Sequence, residues 1–178
     1  MKILNFVDEF RGYENLLKFC AKGYDTKDLT VIIKYVKSPF KHNSKLLSGD
    51  CNYEEKCWAM KQDSNTVVRI ENRYFVVNYP YIIIRVNPYK DFPCISSDED
   101  NCWKNYMFKS FIESVVLVFL HEFKHYLDLK HGIGMHSSFA REWYADEWAM
   151  AKYKGIDIYN PRRNKKIKVS DWVLKFVA

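Results

Sequence analysis

The sequence has no apolar run long enough to cross a membrane. Its longest uninterrupted apolar stretch, Val115–Leu120, has six residues, whereas a transmembrane helix needs about 20. The N-terminus also lacks the apolar core of a secretory signal, because Asp8, Glu9 and Arg11 interrupt it. No internal repeat and no clear linker divides the chain. We therefore expect one cytoplasmic domain over residues 1–178, without a membrane partner.

Cysteine pairs with the spacing of a zinc knuckle are missing as well. The chain has five cysteines, which are Cys20, Cys51, Cys57, Cys94 and Cys102. None of them is separated from the next by the two to four residues that such a site needs. In a reducing compartment this odd number predicts free thiols. A second, structural zinc site or two disulfides are the alternatives that the spacing leaves open.

Apolar and aromatic residues, by contrast, are abundant. The 178 residues are 48% hydrophobic and 17% aromatic, which favours a packed domain over a disordered chain. The net charge is +6, and a positive field attracts anionic partners. Several basic residues lie in the C-terminal tail at 156–178, namely Arg162, Arg163, Lys165, Lys166 and Lys168. Nucleic acid is therefore one candidate partner, and a solvated basic tail is the alternative.

The hydrophobic pattern predicts an α+β domain. Helical spacing of apolar residues predicts an N-terminal helix over Lys2–Lys22. Strands are predicted at Leu29–Lys37, Thr66–Glu71, Tyr74–Asn78 and Tyr81–Asn87. The polar segment from Phe40 to Asn65 predicts loop, with a short helix at Glu54–Lys61 as an alternative.

Two further helices are predicted in the C-terminal half of the chain. The first spans about 103–130 and ends near Gly132, and the second spans about 138–154. This order of elements predicts a small antiparallel or mixed sheet that packs beside a helix pair.

The first of these helices contains the pattern H-E-x-x-H, in His121-Glu122-Phe123-Lys124-His125. Residues four apart on a helix share a face, so His121 and His125 can bind one Zn²⁺ ion. Glu122 lies about 100° further round the helix. From there its carboxylate can accept a proton from a water molecule that zinc has made acidic. The motif predicts Glu122 as the general base of a zinc hydrolase.

A catalytic zinc site needs a third protein ligand, and Glu142 on the second helix is the first candidate. Glu142 and Asp146 are four residues apart and share a face of that helix. Ala145 and Ala149 lie close to the same face, where small side chains allow the two helices to approach closely. Glu142 can then reach the metal, while Asp146 accepts a hydrogen bond from the far nitrogen of a ligand histidine.

Two histidines are the alternative third ligands. His131 would complete H-E-x-x-H-x-x-G-x-x-H, except that Asp128 stands where that pattern has a glycine for a sharp turn. His136 precedes the second helix and is either a ligand or an aid to catalysis. Asp128 itself lies on the same face as His125, which predicts that it supports a histidine.

Together, H-E-x-x-H at 121–125 and Glu142-x-x-Ala145-Asp146 resemble the gluzincin group of metallopeptidases. The resemblance covers about residues 113–153. It implies a zinc-dependent enzyme that hydrolyses peptide or protein substrates, with Glu142 as the third ligand and Asp146 as its supporting residue. It also implies a zincin-like fold, in which an edge strand of an N-terminal sheet lines the cleft and pairs with the extended substrate.

Two other functions remain open at the level of sequence. The chain could be a catalytically inactive, peptidase-like module for binding or regulation, although such a module does not need the base Glu122. It could also be a protease that acts on nucleic-acid-associated proteins, with the basic tail contacting phosphates.

Overall fold

The elements of the fold are defined in a computed structural model of the chain. It describes residues 1–35, 47–52, 65–70, 73–87, 92–95, 106–133, 138–155, 157–160 and 165–168. The strands are β1 (Lys2–Asn5), β2 (Thr30–Tyr35), β3 (Leu47–Asn52), β4 (Asn65–Ile70), β5 (Arg73–Asn78), β6 (Tyr81–Val86), β7 (Cys94–Ile95), β8 (Met107–Phe108), β9 (Asp157–Asn160) and β10 (Lys165–Lys168). The helices are α1 (Glu14–Cys20), α2 (Phe111–Lys130) and α3 (Ser138–Gly155).

A four-stranded mixed sheet with the order β1-β2-β6-β3 is the frame of the domain. β1, β2 and β6 run parallel, with Ile32 opposite Ile83 in the central pair. β3 runs antiparallel to β6 at the edge of the sheet, and α2 packs beside both strands. The prediction of an α+β domain with a mixed sheet is therefore confirmed. The remaining strands form two-stranded ribbons, which are β4-β5, β7-β8 and β9-β10.

Both faces of the sheet are covered. Residues that alternate along β2 and β6 point to opposite faces, which explains why the central residues 31–33 and 82–84 are apolar without interruption. One face packs with α1 and α2 in the main core, through Val31, Ile33, Ile82, Ile84 and Val86. The other face packs against the β4-β5 hairpin, whose buried side chains are Val68, Ile70 and Val77. The helix pair therefore lies on one side of the sheet and the hairpin on the other.

The predicted helix over Lys2–Lys22 is wrong in its first half. Lys2–Asn5 forms β1, which pairs with β2, and α1 begins only at Glu14. A short 3-10 helix, Asp8–Phe10, lies between the two elements, and Gly12, at φ +91°, follows it in a conformation that residues other than glycine rarely adopt. The hydrogen bond from Asn5 Nδ2 to Glu14 Oε1 (2.7 Å) joins them. Pairing with a distant strand thus overrides a local helical pattern.

The predicted strands at Leu29–Lys37, Thr66–Glu71, Tyr74–Asn78 and Tyr81–Asn87 are confirmed within two residues at each end. β3 lies within the segment that was expected to be loop, because its sequence Leu-Ser-Gly-Asp-Cys-Asn has no alternating apolar pattern. Pairing with β6 makes it a strand. The alternative helix at Glu54–Lys61 lies outside the described residues.

The predicted helix at about 103–130 begins later than expected, at Phe111. Ser110 caps it, because its hydroxyl oxygen accepts a hydrogen bond from the Glu113 N–H (3.1 Å). Gly132, at φ +67°, follows the end of this helix as predicted. The second helix, Ser138–Gly155, agrees with the predicted 138–154. None of the helices within the described ranges combines the length and apolarity needed to span a bilayer.

Among the cysteines, Cys20 is a buried free thiol, in agreement with the prediction. Burial raises the pKa of this thiol to about 12. The side chains of the other four cysteines lie outside the described part of the structure.

Candidate metal centre

α2 carries the H-E-x-x-H motif through the middle of the main core. Every residue from Ile112 to Leu120 is buried, and so is every residue from Glu122 to Asp128. A helix that is apolar almost all round is packed on all sides. Rigid packing of α2 therefore fixes the backbone from which His121 and His125 project.

Glu113 joins the start of α2 to the end of α3. Its carboxylate accepts hydrogen bonds from the hydroxyl groups of Tyr106 (2.8 Å) and Tyr153 (2.9 Å), and from the Lys109 N–H. Burial and the hydrogen bond to Glu113 raise the pKa of Tyr106. Glu113 is only 2% exposed, so these partners replace the water that a buried carboxylate loses. The sequence analysis missed this cluster, although Ser110-x-x-Glu113 has the spacing of a capping box.

The small side chains of α3 allow it to approach α2 closely. Ala145 and Ala149 are both 0% exposed, as expected for a stripe of small residues at a helix contact. Glu142 precedes Ala145 by about one turn, so it lies level with the two histidines of α2. The helices run antiparallel here, since Glu142 contacts His125 while Tyr153 contacts Glu113.

Three potential ligand atoms meet between the helices. His121 Nε2 lies 3.1 Å from Glu142 Oε2 and 3.1 Å from His125 Nε2. The third distance, from His125 Nε2 to Glu142 Oε2, is 3.3 Å. This triangle of two imidazole nitrogens and one carboxylate oxygen could hold a metal ion. No other group of this kind is found among the residues that the structure describes.

Asp146 determines which nitrogen of His121 faces the triangle. Its Oδ1 lies 2.7 Å from His121 Nδ1, and Asp146 is 1% exposed. An ionised carboxylate only accepts hydrogen bonds, so Nδ1 carries the proton. In the neutral imidazole, Nε2 then directs its lone pair towards His125 and Glu142. Three electron-rich atoms this close together repel one another unless a positive charge lies among them.

In the metal-free chain a proton supplies this positive charge. Burial disfavours the charged imidazole of His121, but the hydrogen bonds to Asp146 and then to Glu142 outweigh it and raise the pKa of His121 to about 10. The hydrogen bonds from His121 and then His125 lower the pKa of Glu142. A divalent cation would replace the proton on His121, and its positive charge would be attracted to the carboxylates of Glu142 and Asp146 in the same way.

Glu122 lies beside the triangle without belonging to it. Its Oε1 is 4.0 Å from His121 Nε2, and its side chain is 7% exposed. The Glu142 side chain is 50% exposed, whereas those of His121 and His125 are 14% and 9% exposed. The group is therefore accessible from the Glu142 side. Glu122 occupies the edge of the histidine face that its position in the motif predicts.

The structure does not favour His131 as the third ligand. α2 continues without a break through Asp128 to Lys130, and His131 is an exposed residue that ends the helix. The sharp turn that would bring His131 back to the histidines is therefore absent, and His131 is not part of the triangle. His136 lies outside the described residues. Asp128 was expected to support a histidine, but among the described residues its side chain pairs with Lys124 and with no histidine.

His125 differs from His121 in the surroundings of its second ring nitrogen. His125 Nδ1 is buried and has no hydrogen-bond partner in the described part of the chain. Only His121 therefore has a carboxylate within hydrogen-bond distance of its Nδ1 among the described residues.

Comparison with known proteins adds no assignment to this geometry. No family model matches the chain, no curated protein is significantly similar to it, and no solved structure resembles it significantly. The arrangement of His121, His125 and Glu142 as a group that could hold a metal ion follows from the structure of this chain itself.

Proposed function

We propose that the protein is a zinc-dependent metallopeptidase of the gluzincin type, with a zincin-like fold. The observation that carries this proposal is the triangle of His121 Nε2, His125 Nε2 and Glu142 Oε2, with sides of 3.1, 3.1 and 3.3 Å. Zinc binds nitrogen and oxygen ligands at about 2.0–2.2 Å, so two ligands of a tetrahedral site lie about 3.3–3.5 Å apart. The triangle therefore needs to expand by only a few tenths of an ångström.

The choice of zinc over other divalent ions rests on the donor set. Two imidazoles and one carboxylate are characteristic of catalytic zinc sites, which keep a fourth position open. Magnesium and calcium prefer sites made of oxygen ligands alone. Asp146 would hold the His121 ring in the tautomer that a metal requires, as supporting carboxylates do in such sites.

The buried carboxylate of Glu122 would act as the general base. A zinc ion held by the three ligands would act as a Lewis acid and would make a water molecule acidic at neutral pH. Glu122 would accept a proton from the attacking water and pass it to the nitrogen of the leaving amine. Its low exposure and its place 4.0 Å from His121 Nε2 suit this role better than ligation.

The edge strand β3 supports a peptide as the substrate. β3 runs antiparallel to β6 and lies next to α2, which carries the histidines. The edge of a sheet presents backbone groups that can pair with an added extended chain. A peptide bound in this way would run past the metal centre.

Metal content tests the proposed ligands. We expect about one zinc per chain by mass spectrometry of the native wild-type protein, and loss of that zinc in His121→Ala and in Glu142→Ala. His131→Ala is the matched control and should keep the full amount, because His131 lies outside the triangle. Full zinc in Glu142→Ala together with its loss in His131→Ala would overturn the assignment of the third ligand.

Catalysis is tested separately with Glu122→Gln, which keeps the size of the side chain but removes the base. The variant should keep zinc and lose hydrolysis of a mixed peptide library by about 100-fold or more, the usual contribution of a general base. Hydrolysis at the wild-type rate would exclude Glu122 as the base. Zinc binding by the wild-type protein without cleavage of any peptide would instead indicate a module for binding or regulation.

A further inference from the structure

The turn of α3 that carries Glu142 has little hydrophobic packing to hold it in place. All five residues from 140 to 144 are exposed, and burial begins only at Ala145. A preformed metal site needs its ligands fixed to within about 0.5 Å. Since Glu142 precedes the packed part of the helix, other contacts must fix its distance from the histidines.

One such contact comes from Lys124, which stands between the two histidines in sequence. Its ammonium group forms an ion pair with Asp128 one turn further along α2. The two side chains are only 8% and 4% exposed. Lys124 Nζ also lies 4.4 Å from the centre of the Tyr144 ring on α3. Tyr144 follows Glu142 by two residues, so the contact joins the turn of Glu142 to the turn of His125.

A buried ion pair of this kind is expected to add little net stability. Removing two charges from water is unfavourable, and hydrophobic residues of similar volume are often at least as stabilising. A buried ammonium group, however, has a fixed position and few competing water molecules. Under these conditions its attraction to an aromatic ring is stronger than at an exposed site. The pair is therefore suited to holding Tyr144 at a defined place.

We propose that Lys124 is a positioning residue of the metal centre. Asp128 fixes the position of the Lys124 ammonium group, and the ammonium group in turn holds the ring of Tyr144. Because Tyr144 is two residues from Glu142, its position determines the distance between the Glu142 carboxylate and the two histidines. This inference rests on the proposed zinc site and goes beyond it, because it assigns a role to three residues that do not touch the metal. It implies that the affinity for zinc depends on the aromatic ring at position 144.

The first test compares substitutions of two neighbouring aromatic residues. Tyr144→Leu should raise the dissociation constant for zinc by about threefold to thirtyfold, the range expected for a cation–π contact between exposed and fully desolvated surroundings. Tyr144→Phe keeps the ring and should stay within about twofold of wild type. Trp143→Leu is the matched control, since Trp143 is 42% and Tyr144 43% exposed and the two project about 100° apart. Affinity is measured by competition with a chromophoric chelator.

A second test removes the ion pair without leaving a buried charge. The double variant Lys124→Met/Asp128→Leu should keep the melting temperature of the metal-free protein but lose zinc affinity as Tyr144→Leu does. Adding Tyr144→Leu to the double variant should then cause little further loss, because all three residues act through one contact.

The outcomes separate this inference from the proposed function. Equal zinc affinity in wild type and Tyr144→Leu would overturn the inference and leave the zinc site intact. A loss in Tyr144→Leu that is matched by Trp143→Leu, or by a proportional fall in the melting temperature of the metal-free protein, would also overturn it. Absence of zinc binding in the wild-type protein itself would refute the proposed function and the positioning role with it.

Discussion

Replacing Asp146 with asparagine should weaken zinc binding without displacing His121. In the native chain Asp146 Oδ1 lies 2.7 Å from His121 Nδ1, and the residue is 1% exposed. Asparagine has nearly the same shape and can still accept the hydrogen bond through its side-chain oxygen. What it removes is the negative charge that makes the imidazole a stronger ligand.

The size of the effect follows from the type of hydrogen bond. A hydrogen bond to a charged group contributes about 1.5–3 kcal/mol, and one between neutral groups about 0.5–1.5 kcal/mol. The difference of roughly 1–1.5 kcal/mol corresponds to about a tenfold change in affinity. Loss of a supporting carboxylate in other metal sites reduces affinity by about 10–100-fold. We therefore expect the dissociation constant for zinc to rise by about tenfold or more in Asp146→Asn.

Competition titration with a chromophoric chelator at constant pH measures this change. Glu147→Gln is the control, because it changes the net charge by the same amount on the same helix at an exposed position. Far-UV circular dichroism and the melting temperature show whether both variants are folded. A dissociation constant for Asp146→Asn that matches Glu147→Gln would refute the role given to Asp146.

Three further predictions concern the metal-free chain. The pKa of His121 is raised to about 10, so the stability that its proton provides is complete below about pH 6.5 and is lost as the pH rises towards 10. Urea unfolding at pH 6.5 and 9.5 should therefore show a larger loss for wild type than for His121→Gln. The Cys20 thiol, whose pKa is raised by burial to about 12, should resist iodoacetamide at pH 8 until guanidinium unfolds the chain, as peptide mapping would show; labelling of Cys20 itself in the native protein would contradict its burial. Glu113→Leu removes the carboxylate that accepts hydrogen bonds from the hydroxyl groups of Tyr106 and Tyr153 and should lower the free energy of unfolding by about 2–4 kcal/mol; a melting temperature equal to wild type would contradict this.

The sequence alone determines the local features of the centre. Residues four apart on a helix share a face whatever the helix packs against, so His121 and His125 form one pair, and Glu142 and Asp146 another. The glycine after α2 and the apolar strands β2 and β6 follow from equally local preferences. These features could be predicted because each depends on residues that are close in sequence.

The tertiary structure decides how these local units meet. Packing of α3 on α2 selects Glu142 over His131 as the third member of the triangle, across 17 residues from His125. It also places Tyr144 over Lys124. In the same way, distant partners make strands of β1 and β3, where the local pattern predicts helix and loop. Such contacts form between residues that are far apart in sequence and come together only in the folded chain. Their energy can override local preferences, so a short stretch of sequence does not predict them.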